Sequence, residues 1–251
     1  MMLPKAFVTR PIAHRAFHDK AHGRVENSLS SIKEAITHGY GIEIDLQLSS
    51  DGVPMVFHDY DLRRLTIEQG AIAQRSSAQL AQIPLMGDST TIPTLAQVLQ
   101  VVAGRVPLLI EIKDQDGSLG PQIGPMGRAV AQVLAGYKGP VAVMSFNPHA
   151  VAEMGKLLPD VPRGLTTGSF DPADWPAIPQ PTLERLSQIP DYGHVGASFI
   201  SHYHKELDHP RVKELNEQHG AAILCWTIRS PEDATQARIH ADNITFEGYA
   251  A

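Results

Sequence analysis

Four short clusters in this chain set ionisable residues at the ends of apolar runs: Ala13-His14-Arg15, Glu43-Ile44-Asp45, Phe57-His58-Asp59 and Glu111-Ile112-Lys113. From them come three carboxylates (Glu43, Asp45, Glu111), two imidazoles (His14, His58) and two fixed cations (Arg15, Lys113). Glu43 and Asp45 are two residues apart in the run Gly41 to Leu48, as are Glu111 and Lys113 in Leu108 to Lys113. A strand repeats every two residues, so each pair leaves one face of its strand. Ile42, Ile44 and Leu46 make the other face apolar, which points the carboxylates to solvent or into a barrel mouth. Three carboxylate ligands select one hard divalent cation, Mg²⁺ or Ca²⁺, with Mn²⁺ also suited to the donor set. The excess negative charge would be offset by Arg15, suited to bidentate phosphate contact, and by Lys113, a point charge. Histidine titrates nearest neutrality, so His14 and His58 suit a general acid and base pair. The inventory fits metal-assisted attack on an anionic ester.

Asp51-Gly52 lies between alternating apolar residues, a strong hairpin signal. A two-residue turn there pairs Ser50 with Val53 and, counting outward, Asp45 with His58. Directly opposed side chains share a face about 5 Å apart, so the hairpin is expected to return His58 to the carboxylates.

The ordered clusters resemble the glycerophosphodiester phosphodiesterase family. The matching segments are His14-Arg15, Glu26-Asn27-Ser28, Glu43-Ile44-Asp45, Asp51-Gly52, His58-Asp59, Glu111-Ile112-Lys113, Ser145-Phe146 and Trp226-Thr227, in family order over most of the chain. Glu-x-Asp or His-Asp alone is a common pair; the specificity lies in the ordered set. The resemblance implies cleavage of a small-molecule glycerophosphodiester to glycerol 3-phosphate and an alcohol, with Glu43, Asp45 and Glu111 on the metal and His14 and His58 as acid and base. Three departures stand out. Ala16 replaces the family glycine, at a cost of roughly 1 kcal/mol if φ must be positive. Ser28 replaces threonine, and both cap helices. Ile244-Thr245-Phe246-Glu247 ends where the family usually has Thr-Asp.

Other candidates carry weaker signals. Trp226, on a late strand, is expected to wall the substrate pocket, although core packing would also explain an aromatic there. His204, in Ser201-His202-Tyr203-His204, is expected on a loop near substrate, and His202 on the solvated surface. His18, His22 and His149 read as surface residues. Glu26-Asn27 would either orient Arg15 or cap a helix.

The elements that must position these residues alternate. Strands are predicted at Pro11–His14, Gly41–Leu48, Pro107–Lys113, Val141–Phe146, Arg163–Thr167, Gly196–Ser201, Ala222–Ile228 and Asn243–Phe246. Helices between them are punctuated by Asn27 or Ser28 and then Gly39, by the capping box Thr94-x-x-Gln97, by Asn147-Pro148, by Asp208 and Pro210 with Gly220 at the end, and by Ser230-Pro231. Repeated βα units of this number predict an α/β fold, a single (β/α)₈ TIM-type barrel over residues 1–251 with a β-hairpin excursion after the second strand. Catalytic groups in such barrels sit at the carboxyl ends of strands, where His14, Asp45, Lys113 and Trp226 fall.

Composition narrows the classes. The 251 residues are 19% charged and 43% apolar, a globular balance, and the formal net charge of −6 argues against broad nucleic-acid binding. No apolar run approaches 18 residues and the N-terminus lacks an apolar signal core, so stable membrane insertion is not expected and a cytoplasmic location is. Cys225 is the single cysteine, which excludes an internal disulfide. Oligomeric state is not legible. Rival readings are a related barrel phospholipase acting on lysophospholipid, inositol or sphingolipid head groups, a barrel retained only for binding, and an unrelated metal-dependent isomerase. An apolar rim around the barrel mouth would favour the phospholipase.

Overall fold

The computed structural model describes residues 2–251. Its strands, in chain order, are β1 (Ile12–Ala13), β2 (Gly41–Leu48), β3 (Pro54–Val56), β4 (Leu108–Ile112), β5 (Val141–Ser145), β6 (Arg163–Thr167), β7 (Phe199–Tyr203), β8 (Ala222–Ile228) and β9 (Asn243–Phe246). All except β3 run parallel, and β1 pairs with both β2 and β9, closing an eight-stranded ring. The expected (β/α)₈ barrel is therefore the fold. Of the expected strands, β7 begins three residues late, because Gly196 (φ 63°) still belongs to the preceding turn.

Local sequence sets the helix ends as read. Ser28 accepts from the Ser31 amide to open the helix Leu29–His38, and Thr94 with Gln97 forms a reciprocal capping box on Leu95–Val102. Asn147 caps Pro148–Leu157. The helix Pro210–His219 is capped by His209 rather than by Asp208.

The barrel interior is divided by depth. Its closed end is apolar: Phe7, from the short helix Ala6–Thr9, packs with Ile12, Leu109, Ala142, Met144, Phe199 and Leu224. Burying Phe7 and Phe199 completely is worth about 2–3 kcal/mol each. Gly164 makes room for Phe199, since a methyl there would run into its ring. Asn243 fixes the plug by donating to the carbonyls of Phe7 (2.7 Å) and Arg10 (2.6 Å). The polar residues lie at the opposite, open end.

The excursion after β2 is an antiparallel hairpin with β3, as expected, but its register differs by one residue. Leu46 faces Val56, Gln47 faces Met55 and Leu48 faces Pro54. Asp45 is consequently opposite Phe57, whose amide donates to the Asp45 carbonyl at 3.0 Å, and not opposite His58. The turn has three residues, Ser50 to Gly52, because the Ser49 hydroxyl accepts from the Val53 amide and the Gly52 amide donates to the Ser49 carbonyl. Only Gly52 needs the left-handed region (φ 80°), as in a type I turn closed by a bulge. Phe57 points into a satellite core with Leu62, Leu65, Ile72 and Leu80, built by the segment that follows the hairpin. His58 reaches the mouth because the chain has by then left the ladder.

Among the described residues, no helix is long and apolar enough to cross a membrane.

Candidate active site

Strand register brings the three carboxylates together. Glu43 and Asp45 leave one face of β2, and Asp45 is level with Glu111 on β4. One oxygen of each lies within 4.8 Å of the others, and all three residues are buried. Lys113, two residues beyond Glu111, sets its Nζ 2.8 Å from Asp45 Oδ1 and 2.5 Å from Glu111 Oε1. Burial works against a charged Asp45, yet Lys113, His58 and Arg15 outweigh it and hold the carboxyl well below its usual range. Glu43 goes the other way: burial, then repulsion from Asp45 and Glu111, pushes it well above. One lysine thus leaves the trio over-charged. A set of buried, oxygen-only donors with surplus negative charge fits a hard divalent cation and offers nothing to a soft one. Cys225 is buried at 0% exposure and lies outside the cluster, with burial raising its thiol to about 12.

Arg15 is held by its backbone as much as by its charge. It sits at φ 52° and Ala16 at φ 67°, so the chain turns sharply after β1. That turn lets the Arg15 amide donate to Glu43 Oε2 (2.9 Å) and the Ala16 amide to the Glu43 carbonyl (3.0 Å). The Arg15 guanidinium donates to Glu26 Oε1 at 2.9 Å and lies 3.6 Å from Asp45. Asn27 donates its side-chain amide to Asp45 Oδ2 at 2.9 Å. Glu26 and Asn27 therefore orient Arg15 and Asp45, while Ser28 does the capping. Arg64, which sequence reasoning did not single out, clamps Glu26 with two bonds of 2.8 and 2.7 Å. Burial would raise Glu26, but Arg64 and Arg15 bring it down to about 2.

Each imidazole rests on a carboxylate of its own. His14 Nδ1 is 2.6 Å from Glu247 Oε2, and His58 Nδ1 is 2.7 Å from Asp59 Oδ1. Both carboxylates are in turn held by arginine: Glu247 by Arg229 at 2.9 and 2.8 Å, Asp59 by Arg64 at 2.5 Å. Burial would raise both acids, yet their hydrogen-bonded partners keep them well below the usual range. His14 is lowered, by burial first, against the opposing pull of Glu247. With Nδ1 committed to a carboxylate, Nε2 is the nitrogen left to exchange a proton. Sequence reasoning missed both partners. Asp59 adjoins His58, and Glu247 follows the last strand, the place where a side chain at a barrel mouth is expected.

His14, Arg15, Glu43, Asp45, His58, Glu111 and Lys113 all line one cavity of about 200 Å³ at the open end of the barrel. Its wall includes Phe146, Tyr203 and Trp226, with ring centroids 5.4–5.6 Å apart around Trp226. The Trp226 indole N–H donates to the Ser201 carbonyl at 2.9 Å, fixing the ring. His204 is not brought in. It opens a short 3₁₀ turn just past β7, where Tyr203 takes the place at the cavity. His202 is not on the solvated surface either. It is 2% exposed, its Nδ1 lies 2.8 Å from the Thr167 hydroxyl, and burial lowers it to about 4. His18, expected at the surface, is half-buried with Nε2 3.7 Å from Glu247.

A second cavity of about 610 Å³ adjoins the first, sharing His58, Lys113, Phe146 and Trp226 and adding Tyr60, Leu119 and Trp175. Leu119 and Trp175 come from the two Gly/Pro-rich loops after β4 and β6, which pack with Phe170 into a small apolar cluster.

Comparison with known proteins places this geometry. An uncharacterized protein of Mycobacterium tuberculosis is 31% identical over 158 residues, 56% of this chain and 50% of that protein, so the chain matches about half the length of that relative. The glycerophosphodiester phosphodiesterase of Caldanaerobacter subterraneus subsp. tengcongensis is 25% identical over 236 residues, 90% of this chain and 88% of the relative. A phosphodiesterase of Oleispira antarctica, solved with the product sn-glycerol-3-phosphate, superimposes with a TM-score of 0.76 at 26% identity, covering 96% of this chain and 94% of that one. The glycerophosphoryl diester phosphodiesterase family matches from His14 to Phe246, a span that takes in every carboxylate, imidazole and cation at the mouth except Glu247, and this chain belongs to that family.

Proposed function

We propose that this chain is a single catalytic barrel that hydrolyses glycerophosphodiesters to glycerol 3-phosphate and an alcohol. The observation that carries the reading is the convergence of three carboxylate oxygens within 4.8 Å, in one cavity with two carboxylate-held imidazoles. Glu43, Asp45 and Glu111 would hold one divalent cation. When bound, such a cation neutralises charge on a non-bridging phosphate oxygen. Arg15 contacts the phosphate and is oriented for it by Glu26. Lys113 stays protonated between Asp45 and Glu111, and its charge favours the ionised form of Asp45. Of the two imidazoles, one takes the proton of the attacking hydroxyl at Nε2 and the other protonates the leaving alkoxide. Glu247 and Asp59 stabilise whichever ring becomes imidazolium. Phe146 and Trp226 exclude water from one side of the phosphate, which strengthens these charge interactions.

The test is hydrolysis of a panel of glycerophosphodiesters with and without chelator. Release of glycerol 3-phosphate that chelator abolishes and Mg²⁺, Ca²⁺ or Mn²⁺ restores is the expected result. Cleavage indifferent to chelator would sink the metal assignment.

One observation favours a second reading. The adjoining 610 Å³ cavity has an apolar wall of Leu119, Phe146, Trp175 and Trp226, larger than a small polar head group needs. Turnover of lysophospholipids faster than of their deacylated diesters would select a phospholipase instead.

A further inference from the structure

The two imidazoles of the mouth are not held in the same way. His14 is still part of the barrel ladder: its amide donates to the Phe246 carbonyl of β9 at 2.8 Å. His58 comes after the last ladder contact of the hairpin, the Phe57 amide on the Asp45 carbonyl. Asp59 does not replace that support, because it belongs to the same segment. Its bond to Nδ1 sets the rotation of the ring and not the place of the backbone. An acid–base group must nevertheless be held closely, since a misplacement of about 1 Å can cost on the order of 10²-fold in rate.

Two side chains outside the ladder supply the missing anchors. Gln47 follows Glu43 and Asp45 at the strand period, so it leaves the same face of β2 one step further along. It is 2% exposed, and its Nε2 donates to the His58 carbonyl at 3.1 Å. Tyr60, two residues after His58, donates its hydroxyl to the Asp114 carbonyl at 2.5 Å. Asp114 directly follows Lys113 and is itself fixed. Its carboxylate accepts from the Leu119 amide at 2.9 Å and from the Asn147 side chain at 2.6 Å. We propose that Gln47 and Tyr60 are positioning residues for His58. They suspend its segment between β2 and β4, the strands that carry the three carboxylates, and so set the distance from its imidazole to the phosphate. This inference rests on the phosphodiesterase reading and adds the residues that hold its second imidazole.

The experiment compares Gln47→Met and Tyr60→Phe, each alone and combined with His58→Ala. Methionine keeps the length of the Gln47 side chain without its donor, and phenylalanine keeps the ring that lines the second cavity. Each single change should lower kcat on a cleavable glycerophosphodiester by about 3–30-fold, between the loss of one hydrogen bond and a 1 Å misplacement, with KM changed by less than about twofold. On the His58→Ala background neither should lower kcat by more than about twofold, because the group they position is gone. A role in general stability would carry the same loss onto that background, and that result would overturn the proposal, as would full kcat in both single variants. Hydrogen exchange reads the tethers without turnover. Amides over residues 57–61 should exchange about 2–10-fold faster in each variant, the size of one neutral hydrogen bond, with the barrel strands unchanged. Unchanged exchange in both variants would overturn the proposal whatever the activity. Full activity of His58→Ala would instead sink the acid–base reading of His58, and the exchange measurement then decides the tethers. Tyr60 is half-exposed, so Tyr60→Phe carries both measurements if Gln47→Met does not fold.

Discussion

Glu247 holds Nδ1 of His14 at 2.6 Å through one oxygen and the Arg229 guanidinium through the other. The acid is thereby fixed on both sides, and the imidazole cannot rotate without breaking a charge-assisted bond. Glu247→Gln keeps the shape but withdraws the charge that favours imidazolium. We expect kcat to fall on the order of 10²-fold, within the range of a lost acid–base contribution, with KM little changed. An unchanged kcat would show that His14 does not need its carboxylate.

The imidazoles themselves are expected to matter more than their partners. His14→Ala and His58→Ala should each lower kcat by roughly 10²–10⁴. Neither ring is among the converging carboxylates, so the affinity for divalent cation should persist in both. Full activity of either variant on every cleavable diester would remove that ring from the mechanism.

Cation binding can be read without turnover. A ligand that binds only the folded state stabilises it by about 2.7 kcal/mol at a hundredfold excess over Kd. Titrating Mg²⁺ or Ca²⁺ should therefore raise the melting temperature of the chelator-treated protein. Glu43→Gln removes one of three donors and should abolish most of that rise. Arg15→Lys keeps the charge, loses the fork, and should leave the rise intact while lowering kcat/KM. Equal loss in both variants would refute the division between metal ligands and phosphate contact.

Ala16 tests the departure from the family pattern. At φ 67° an alanine is strained by roughly 1–2 kcal/mol relative to glycine. It is also 1% exposed in the main core, where a buried methyl is worth about 0.8 kcal/mol, and glycine loses more backbone freedom on folding. These effects nearly cancel. Ala16→Gly should change unfolding free energy by less than about 1 kcal/mol in urea titration, and a gain above 2 would show that the strain dominates.

The barrel and most of its mouth were legible because they depend on periodicity. Period-two spacing put Glu43 with Asp45 and Glu111 with Lys113 on interior faces, and strand-end position placed His14 and Trp226. The hairpin register was not legible. Asp51-Gly52 suits a two-residue and a three-residue turn alike, and the choice was made by the Ser49 hydroxyl bonding Val53, a side-chain contact that pattern counting does not see. Glu247, Asp59 and Arg64 escaped for a similar reason. Their roles depend on pairings across the mouth, between residues 233 apart for His14 and Glu247 and 38 apart for Glu26 and Arg64. The segment after β3 shows no regular period because it is built of short 3₁₀ turns around its own small core.

His202 gives the sharpest prediction about stability. It is buried against Thr167, its Nε2 has no partner, and burial lowers it to about 4. In the unfolded chain the same ring takes a proton near pH 6.5. Between those values the unfolded state binds the extra proton and the folded state does not, so stability falls as pH drops through that window and is unaffected by this group above it. Across that window the loss reaches about 3 kcal/mol by pH 4. His202→Gln cannot take up a proton and should lose less on acidification. Urea unfolding of both proteins from pH 7 to pH 4 measures the difference: the two stability curves should converge as the pH falls, and parallel curves would show that His202 is already protonated, or already hydrated, in the folded barrel.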